Sequence, residues 1–352
     1  MRMKTPSPEQ QLKFLIDLQQ LLDEGEFNAT YKYALLMAIA DLCVEKGDST
    51  DYSLPIALTD IAGKFIQYYW RQAIPYPGTR NQEVLYQNKG KQAAVINTVA
   101  NLHPNYRHSL ARARNDKRVW QRTIRTVARK IEGMPLYRLQ IIAGKPYYFI
   151  YPHKLVDGQI ILNPGVAFCF RQFHSMIIRM LQSAWAEEIR KLDKNQPILG
   201  QKKDLTEFLF GSERSSLSTY QPILMATQQG KCFYCQRTMR TNIAVDHFVP
   251  WSRYPIDLGH NFVLAHSSCN SSKADHLAAY PHLHRWIERN SLHGESMTKQ
   301  FAASGLPHDI KTSQQIANWA YNQTTMSGGL TWFSKDSFRK LPTNWPDLFT
   351  LF

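Results

Sequence analysis

The chain has few cysteines, no long uncharged apolar run and a shortage of acidic residues. Its 352 residues include five cysteines, an odd number that does not suit a disulfide framework. The most apolar stretches, residues 33–44 and 165–185, are too short for a membrane span or contain Arg171 and Arg179. The opening MRMKTPSPEQ is polar and lacks the apolar segment of a secretory signal. We therefore expect a cytoplasmic protein that has no membrane partner.

The shortage of acidic residues leaves the chain strongly basic. It has 42 Lys and Arg against 28 Asp and Glu, a formal net charge of +14. Such an excess favours a polyanionic partner, for which nucleic acid is the commonest choice and an anionic membrane the alternative. Many soluble proteins are simply basic, so the charge alone identifies no function. An apolar content of 43% is enough for real cores, and the length suits about two domains.

Residues 1–200 are predicted to form a mostly helical domain that recognises a target or docks a partner. Helical periodicity covers residues 9–45 in two helices and residues 53–78 in a third. Three consecutive helices suit a DNA-reading helix-turn-helix, and they equally suit an ordinary three-helix core. Residues 135–164 turn β-branched and aromatic, which predicts two or three hairpin strands. A long amphipathic helix is expected over residues 166–193.

One segment of this first domain is densely basic. Residues 107–130 contain nine Lys or Arg and a single acidic residue. The functional interpretation is a helix that contacts phosphate backbone, with Arg118 and Arg122 as candidate substrate-binding residues. The alternative is a solvated basic helix, although the acidic residues that usually intersperse such a face are nearly absent.

The second domain, residues 201–352, contains two short pairs of metal-binding residues. Cys232 and Cys235 form a C-x2-C pair, and His266 and Cys269 form an H-x2-C pair after 30 intervening residues. Two such pairs match the closed tetrahedral Cys3His set of a structural zinc site. The alternative is a set of buried free cysteines beside surface residues.

The segment between the pairs has its own pattern. TNIAVDH and HNFVLAH are each typical of a strand, and CNSSKADHLAAY is typical of a helix. Two strands and a helix held by zinc form a ββα-metal arrangement. The predicted fold class is therefore α+β and mainly helical, with an N-terminal helical domain that includes a small β-hairpin region. A zinc-stabilised ββα-metal module follows, with its core motif at about residues 225–280.

In this module the chain resembles the HNH endonuclease family, in its zinc-knuckle branch. The resemblance covers less than a fifth of the chain. Two positions depart from the family pattern: His266 replaces the first cysteine of the second knuckle, and Asn270 replaces the last histidine, which gives an H-N-N variant. The residues that carry the resemblance are the two zinc-binding pairs, Asp246, His247, Pro250, Asn261, Asn270 and Lys273.

Phosphodiester cleavage suits these side chains. His247 can take a proton from water as a neutral imidazole. Asp246 and Asn270 offer oxygen ligands to a catalytic Mg²⁺, or to another divalent cation such as Mn²⁺ or Ni²⁺. The resemblance implies that Asn261 pins the loop that follows His247. Lys273 is expected to hold a neighbouring phosphate, and the zinc is expected to be structural.

The leading hypothesis is a DNA endonuclease whose N-terminal domain chooses the target, and a bacterial restriction or anti-phage role follows only by analogy. A non-catalytic, zinc-stabilised nucleic-acid-binding protein is a second hypothesis, but it has no need of Asp246, His247 and Asn270 together. RNA as the substrate is not excluded. A nuclease subunit that is silent without a partner complex is a further alternative, and a homodimer suits double-strand cleavage.

Overall fold

The computed structural model describes residues 5–25, 29–48, 50–77, 83–199, 204–211 and 217–351. The chain divides into two compact units, Met1–Ser212 and Glu213–Phe352, which we call unit 1 and unit 2. The boundary predicted after residue 200 lies outside the described residues. Among the described helices, none combines the length and the apolar character that a bilayer crossing requires.

Unit 1 consists mainly of helices. They are α1 (Pro8–Glu24), α2 (Tyr31–Lys46), α3 (Leu58–Gln72), α4 (Ala94–Ala100), α5 (His103–Tyr106), α6 (Leu110–Asn115), α7 (Lys117–Gly133), α8 (Pro135–Arg138), α9 (Val166–Gln172), α10 (His174–Lys191), α11 (Gln196–Leu199) and α12 (Leu205–Phe210). The strands are β1 (Pro55–Ala57), β2 (Ile141–Ile142), β3 (Lys145–Pro146) and β4 (Gln159–Ile161). A 3-10 turn covers Asp193–Asn195.

Helix α2 lies at the centre of the core of unit 1. Its sequence is apolar on all sides, which is the composition of a helix that is covered all round, and nearly every one of its residues is buried. Helices α3, α9 and α10 pack around it. Trp185 of α10 is fully buried, and its ring lies 5.2 Å from that of Tyr69 and 6.4 Å from that of Tyr33. These contacts make unit 1 a domain with its own core.

The β region of unit 1 contains the predicted hairpin, but one of its strands pairs outside the region. Residues 135–164 open with α8, and β2 and β3 then form a local hairpin. The third strand, β4, pairs with β1, which lies about a hundred residues earlier in the chain. The predicted helix over residues 166–193 is divided at Phe173 into α9 and α10. A local sequence pattern does not indicate which distant segment a strand pairs with, so the pairing of β4 with β1 could not be predicted.

In its described residues, 217–351, unit 2 has two antiparallel strand pairs and four helices. The helices are α13 (Gln221–Thr227), α14 (Ser267–Lys273), α15 (Tyr280–Ala303) and α16 (Ile310–Met326), with 3-10 turns at Leu217–Tyr220, Gly259–Asn261 and Trp345–Leu351. The strands are β5 (Ile243–His247), β6 (Phe262–His266), β7 (Thr331–Ser334) and β8 (Ser337–Arg339). Strand β5 pairs with β6, and α14 follows β6 directly. The predicted α+β, mainly helical fold with a ββα module is confirmed.

The aromatic C-terminal segment packs within unit 2. Trp332 of β7 is buried, and its indole N–H donates to the Ser272 hydroxyl at 3.1 Å. The main chain of β7 also bonds to the segment after α14, through Trp332 N–H to the Leu277 carbonyl at 2.8 Å. The ββα module is therefore supported from the side of α14 by residues that follow it in the chain.

Candidate functional site

The four predicted zinc-binding residues lie together. The ligand atoms of Cys232, Cys235, His266 and Cys269 all lie within 4.8 Å of one another. The C-x2-C pair lies in the turn after α13, His266 ends β6, and Cys269 lies in the first turn of α14. The Cys235 Sγ is 3.3 Å from the His266 Nδ1. The pairing of β5 with β6 therefore brings both halves of a Cys3His cluster to one point, and this donor set suggests zinc.

The thiols of this cluster have unequal acidity. Burial opposes ionisation of Cys235, but hydrogen bonds from Arg237 and from the neighbouring cluster residues lower the pKa of its thiol to about 6. Burial and the two neighbouring sulfurs raise the pKa of Cys269 to about 12. Three thiolates at this separation repel one another, so a cation is needed to hold all three in the ionised form. The cluster has the chemistry of a metal site.

His247 is the last residue of β5, where it pairs with Phe262 across the sheet. Its side chain is half-buried, and its Nε2 lies 2.8 Å from the Asp257 Oδ1. The rings of Phe262 and Trp251 meet it edge-on, with centroids at 4.8 and 5.3 Å. The imidazole is therefore held on three sides, by Asp257 and by two aromatic rings. Asp257 has no counterpart among the residues singled out in the sequence.

Asn261 makes the loop contact that the family resemblance implies. Its amide oxygen accepts from the Val249 N–H at 2.9 Å, and its amide nitrogen donates to the Val249 carbonyl at 3.1 Å. The Asn261 carbonyl also accepts from the Phe248 N–H at 2.8 Å. Asn261 is buried, so these bonds fix the start of the loop that leaves His247.

Asp246 points away from His247 along the strand and is surrounded by donors. The Lys273 Nζ lies 3.0 Å from its Oδ2 and 3.3 Å from its Oδ1, and the Tyr234 hydroxyl donates to the Oδ2. Burial, and next the Asp246 carboxylate, raise the pKa of Tyr234 well above its usual value, so the phenol keeps its proton. Since Tyr234 lies between the two cysteines of the first pair, the Cys3His cluster and Asp246 are directly connected.

The structure corrects the expected place of Lys273. This residue was expected to reach a neighbouring phosphate, but its side chain is fully buried. Its ammonium donates to Asp246 and, at 3.0 Å, to the main-chain carbonyl of His247. A lysine with both bonds inside the module has no path to a phosphate at the surface. Lys273 instead balances the charge of Asp246 and fixes the end of β5.

We predict that Lys273→Met destabilises unit 2 by roughly 3–5 kcal/mol, because it leaves the Asp246 carboxylate buried without its cation. Urea unfolding followed by tryptophan fluorescence measures the change. Lys299→Met is the matched control, since Lys299 is exposed and pairs with Glu295 on the surface of α15. Equal stability of the two variants would contradict this structural role for Lys273.

Asn270 lies in α14 one turn before Lys273, and its side chain is half-buried. Its amide makes no hydrogen bond to any residue that the structure describes. Helix α14 packs on β5, the strand that contains Asp246. Asp246 and Asn270 together supply a carboxylate and an amide oxygen, which are donors that Mg²⁺ and Mn²⁺ accept. The carboxylate keeps lone pairs beyond those that Tyr234 and Lys273 occupy, so its chemistry is compatible with a divalent cation, which would compete there with the Lys273 ammonium.

Arg118 and Arg122 belong to unit 1 and lie on α7. The predicted basic helix is divided at Asp116, whose carboxylate caps α7 by accepting from the Val119 N–H at 3.1 Å. Both arginines are exposed, as are Arg125 and Arg129. At about 100° per residue these four fall within about 60° of one another, on a stripe about 16 Å long. The opposite face of the helix is buried against α3.

Comparisons with known proteins agree with this description. The family model for HNH endonuclease matches residues 232–276, and the model described as Domain of unknown function (DUF8808) matches residues 10–209. Neither the curated proteins nor the solved structures gave a match. The HNH match supports a nuclease-type function that acts on nucleic acid. Because the other match spans more than half of the chain, the protein belongs to the DUF8808 family, and its C-terminal unit contains an HNH endonuclease domain.

Proposed function

We propose that this protein is a metal-dependent endonuclease that hydrolyses phosphodiester bonds in DNA. The observation that carries the proposal is the position of His247. His247 ends β5, next in sequence to Asp246 and at the start of a loop that Asn261 fixes, within the segment that matches the HNH family model. A DNA-binding protein without catalysis would need the zinc cluster and the basic surface, but not this group of side chains.

His247 is the general base in this proposal. A neutral imidazole takes the proton of the attacking water near pH 7, and a well-placed base of this kind contributes about 10²–10⁴-fold to the rate. Asn261 keeps the loop after His247 in place through its two bonds to Val249. Its role is therefore to position the base, without contact to the scissile phosphate.

Asp246 and Asn270 would hold the catalytic cation, with Mg²⁺, Mn²⁺ and Ni²⁺ as candidates. Such an ion supplies charge stabilisation at the phosphate and at the leaving oxygen. Because Lys273 already balances the charge of Asp246, we expect the site to bind a free cation weakly. We assign the module to the zinc-knuckle branch of the family in its H-N-N form, with a structural zinc on Cys232, Cys235, His266 and Cys269.

Unit 1 contributes a DNA-binding surface in this proposal. The arginine stripe of α7, defined as Arg118, Arg122, Arg125 and Arg129, presents guanidinium groups to solvent without an acidic residue among them. Guanidinium groups pair well with phosphate oxygens, and contacts of this kind bind duplex DNA independently of its sequence. The stripe therefore accounts for part of the net positive charge.

We predict that the double variant Arg118→Gln and Arg122→Gln binds DNA more weakly and with a lower salt dependence. Each lost phosphate contact should lower the slope of log K against log salt by about 1, so the pair should lower it by about 2. Fluorescence anisotropy with a labelled duplex over a salt series measures the slope. Arg179→Gln with Arg190→Gln, two exposed arginines of α10, removes the same charge elsewhere. If both double variants gave the same slope, α7 would not be part of the DNA-binding surface.

By analogy, an endonuclease that is joined to a separate domain suits a cytoplasmic role in restriction or anti-phage defence. One HNH centre cuts one strand at a time. A double-strand break therefore requires two centres, and we expect either a homodimer or a partner complex where such breaks are made.

Cleavage of supercoiled plasmid tests the proposed function. Zinc-loaded protein is incubated with plasmid, with single-stranded DNA and with RNA, each with Mg²⁺, Mn²⁺ or Ni²⁺ and without added cation. Nicked or linear plasmid that forms only with a divalent cation supports a DNA endonuclease. Cleavage of RNA alone would replace DNA by RNA as the substrate. No cleavage of any substrate would favour a binding protein, or a nuclease that needs a partner.

A further inference from the structure

Asp257 is the polar group that contacts the His247 ring from the loop between β5 and β6. Its Oδ1 lies 2.8 Å from Nε2, and both side chains are partly shielded from water. A carboxylate can only accept a hydrogen bond, so Nε2 must be the nitrogen that has the proton. The neutral ring then has its lone pair on Nδ1. We propose that Asp257 is a positioning residue, which fixes this tautomer and directs Nδ1 as the basic nitrogen. The inference rests on the proposed function, in which His247 is the base.

The loop that contains Asp257 is held firmly at both ends. Asn261 fixes its start at Val249, as described above. At its end Leu258 is buried, and the Gly259 N–H donates to the Pro307 carbonyl at 3.0 Å. A Cβ at Gly259 would lie 2.5 Å from the Phe301 ring, so the backbone next to Asp257 packs too closely for a side chain. The packed backbone on both sides of Asp257 therefore fixes the position of this residue, which a group that orients another side chain requires.

The middle of the loop is anchored as well. Tyr254 is buried, and its ring lies 5.9 Å from that of Trp319 on α16. The Arg253 guanidinium reaches the Thr324 hydroxyl of the same helix at 3.4 Å. Removal of the Asp257 carboxylate should therefore leave the path of the loop unchanged. This feature makes the proposal testable, since a substitution alters the imidazole without loss of the loop.

The orienting role gives a definite kinetic expectation. In Asp257→Ala the ring loses the bond that selects its tautomer, so kcat should fall about 10²-fold while KM for DNA stays unchanged. In Asp257→Asn the amide N–H2 can donate to Nε2, which moves the ring proton to Nδ1. We therefore expect Asp257→Asn to lose at least as much activity as Asp257→Ala, and Asp257→Glu to recover part of it. Loss of a merely structural aspartate would not give this order.

The full-length zinc-loaded protein serves for the test. Plasmid cleavage gives kcat and KM for the wild type, the three Asp257 variants and Asp347→Ala, in which an exposed aspartate of the same unit is removed. NMR of ¹⁵N-histidine protein provides a readout that does not depend on cleavage. A ring N–H bonded to a carboxylate is shielded from solvent exchange and gives a downfield signal. The signal of His247 should be present in the wild type and in Asp347→Ala, and absent from Asp257→Ala and from His247→Ala. The signal of a second such pair, His174 with Asp41 at 2.8 Å in unit 1, should stay in all of these proteins.

The outcomes separate this proposal from the proposed function. Wild-type cleavage with full activity in Asp257→Ala would overturn the positioning role and leave the nuclease intact. A higher KM for DNA with unchanged kcat would also overturn the positioning role, since that result would make Asp257 a residue that binds DNA. If the wild type cleaves no substrate, the proposed function fails. The ring signal then decides separately: its loss in Asp257→Ala supports the orientation of His247, and its persistence contradicts it.

Discussion

Removal of zinc is expected to unfold the HNH module while the core of unit 1 stays folded. Cys232, Cys235, His266 and Cys269 connect the turn after α13, the end of β6 and the start of α14. Two five-residue strands and a seven-residue helix bury too little apolar surface to fix this geometry alone. Structural zinc supplies an apparent 10–16 kcal/mol or so near pH 7 in small modules, which is comparable to the whole stability of a typical domain.

Zinc content and unfolding transitions measure this effect together. The wild type should contain one zinc ion per chain and should unfold in a single transition at high temperature or denaturant. After treatment with a strong chelator, unit 2 and unit 1 should unfold in two separate transitions. Cys235→Ser should behave like the chelated protein. Cys169→Ala is the matched control, since Cys169 is a buried cysteine of unit 1 that lies outside the cluster. Full zinc content in Cys235→Ser, or unchanged unfolding after chelation, would contradict a structural zinc.

The zinc quartet could be predicted from the sequence because its information is local. Each pair of ligands is separated by two residues, so a single turn holds both members in any fold that accepts them. The strand and helix patterns between the pairs then predicted two strands followed by a helix, an arrangement that brings the two ligand pairs together. Asn261 was placed by the same route, through the family resemblance, and its two bonds to Val249 are present.

Lys273 and Asp257 are residues whose contacts could not be predicted from the sequence. The position of Lys273 one turn after Asn270 was correct, but whether it faces solvent depends on Asp246 and Tyr234, which come from other elements. Asp257 lies ten residues after His247, in a loop whose path depends on contacts with α16. Neither spacing nor periodicity carries that information. The pairing of β1 with β4 was missed for the same reason.

His247→Ala should lower the rate of DNA cleavage by about 10²–10⁴-fold and leave DNA affinity, zinc content and stability unchanged. The magnitude is that of a lost general base. Affinity should be retained because the arginine stripe of α7 lies in the other unit. Single-turnover cleavage of plasmid, together with anisotropy of a labelled duplex, measures both quantities. His293→Ala, which removes an exposed histidine of α15, is the matched control.

The contrast between rate and affinity is what assigns the role. A histidine that only bound phosphate would weaken affinity when removed, and kcat would change little. A histidine that only supported the fold would change stability and zinc content, as expected for Lys273→Met and Cys235→Ser. Loss of cleavage with all three properties intact leaves proton transfer as the function of His247. Cleavage at the wild-type rate in His247→Ala would place the base elsewhere, and Asp257 would then have no base to orient.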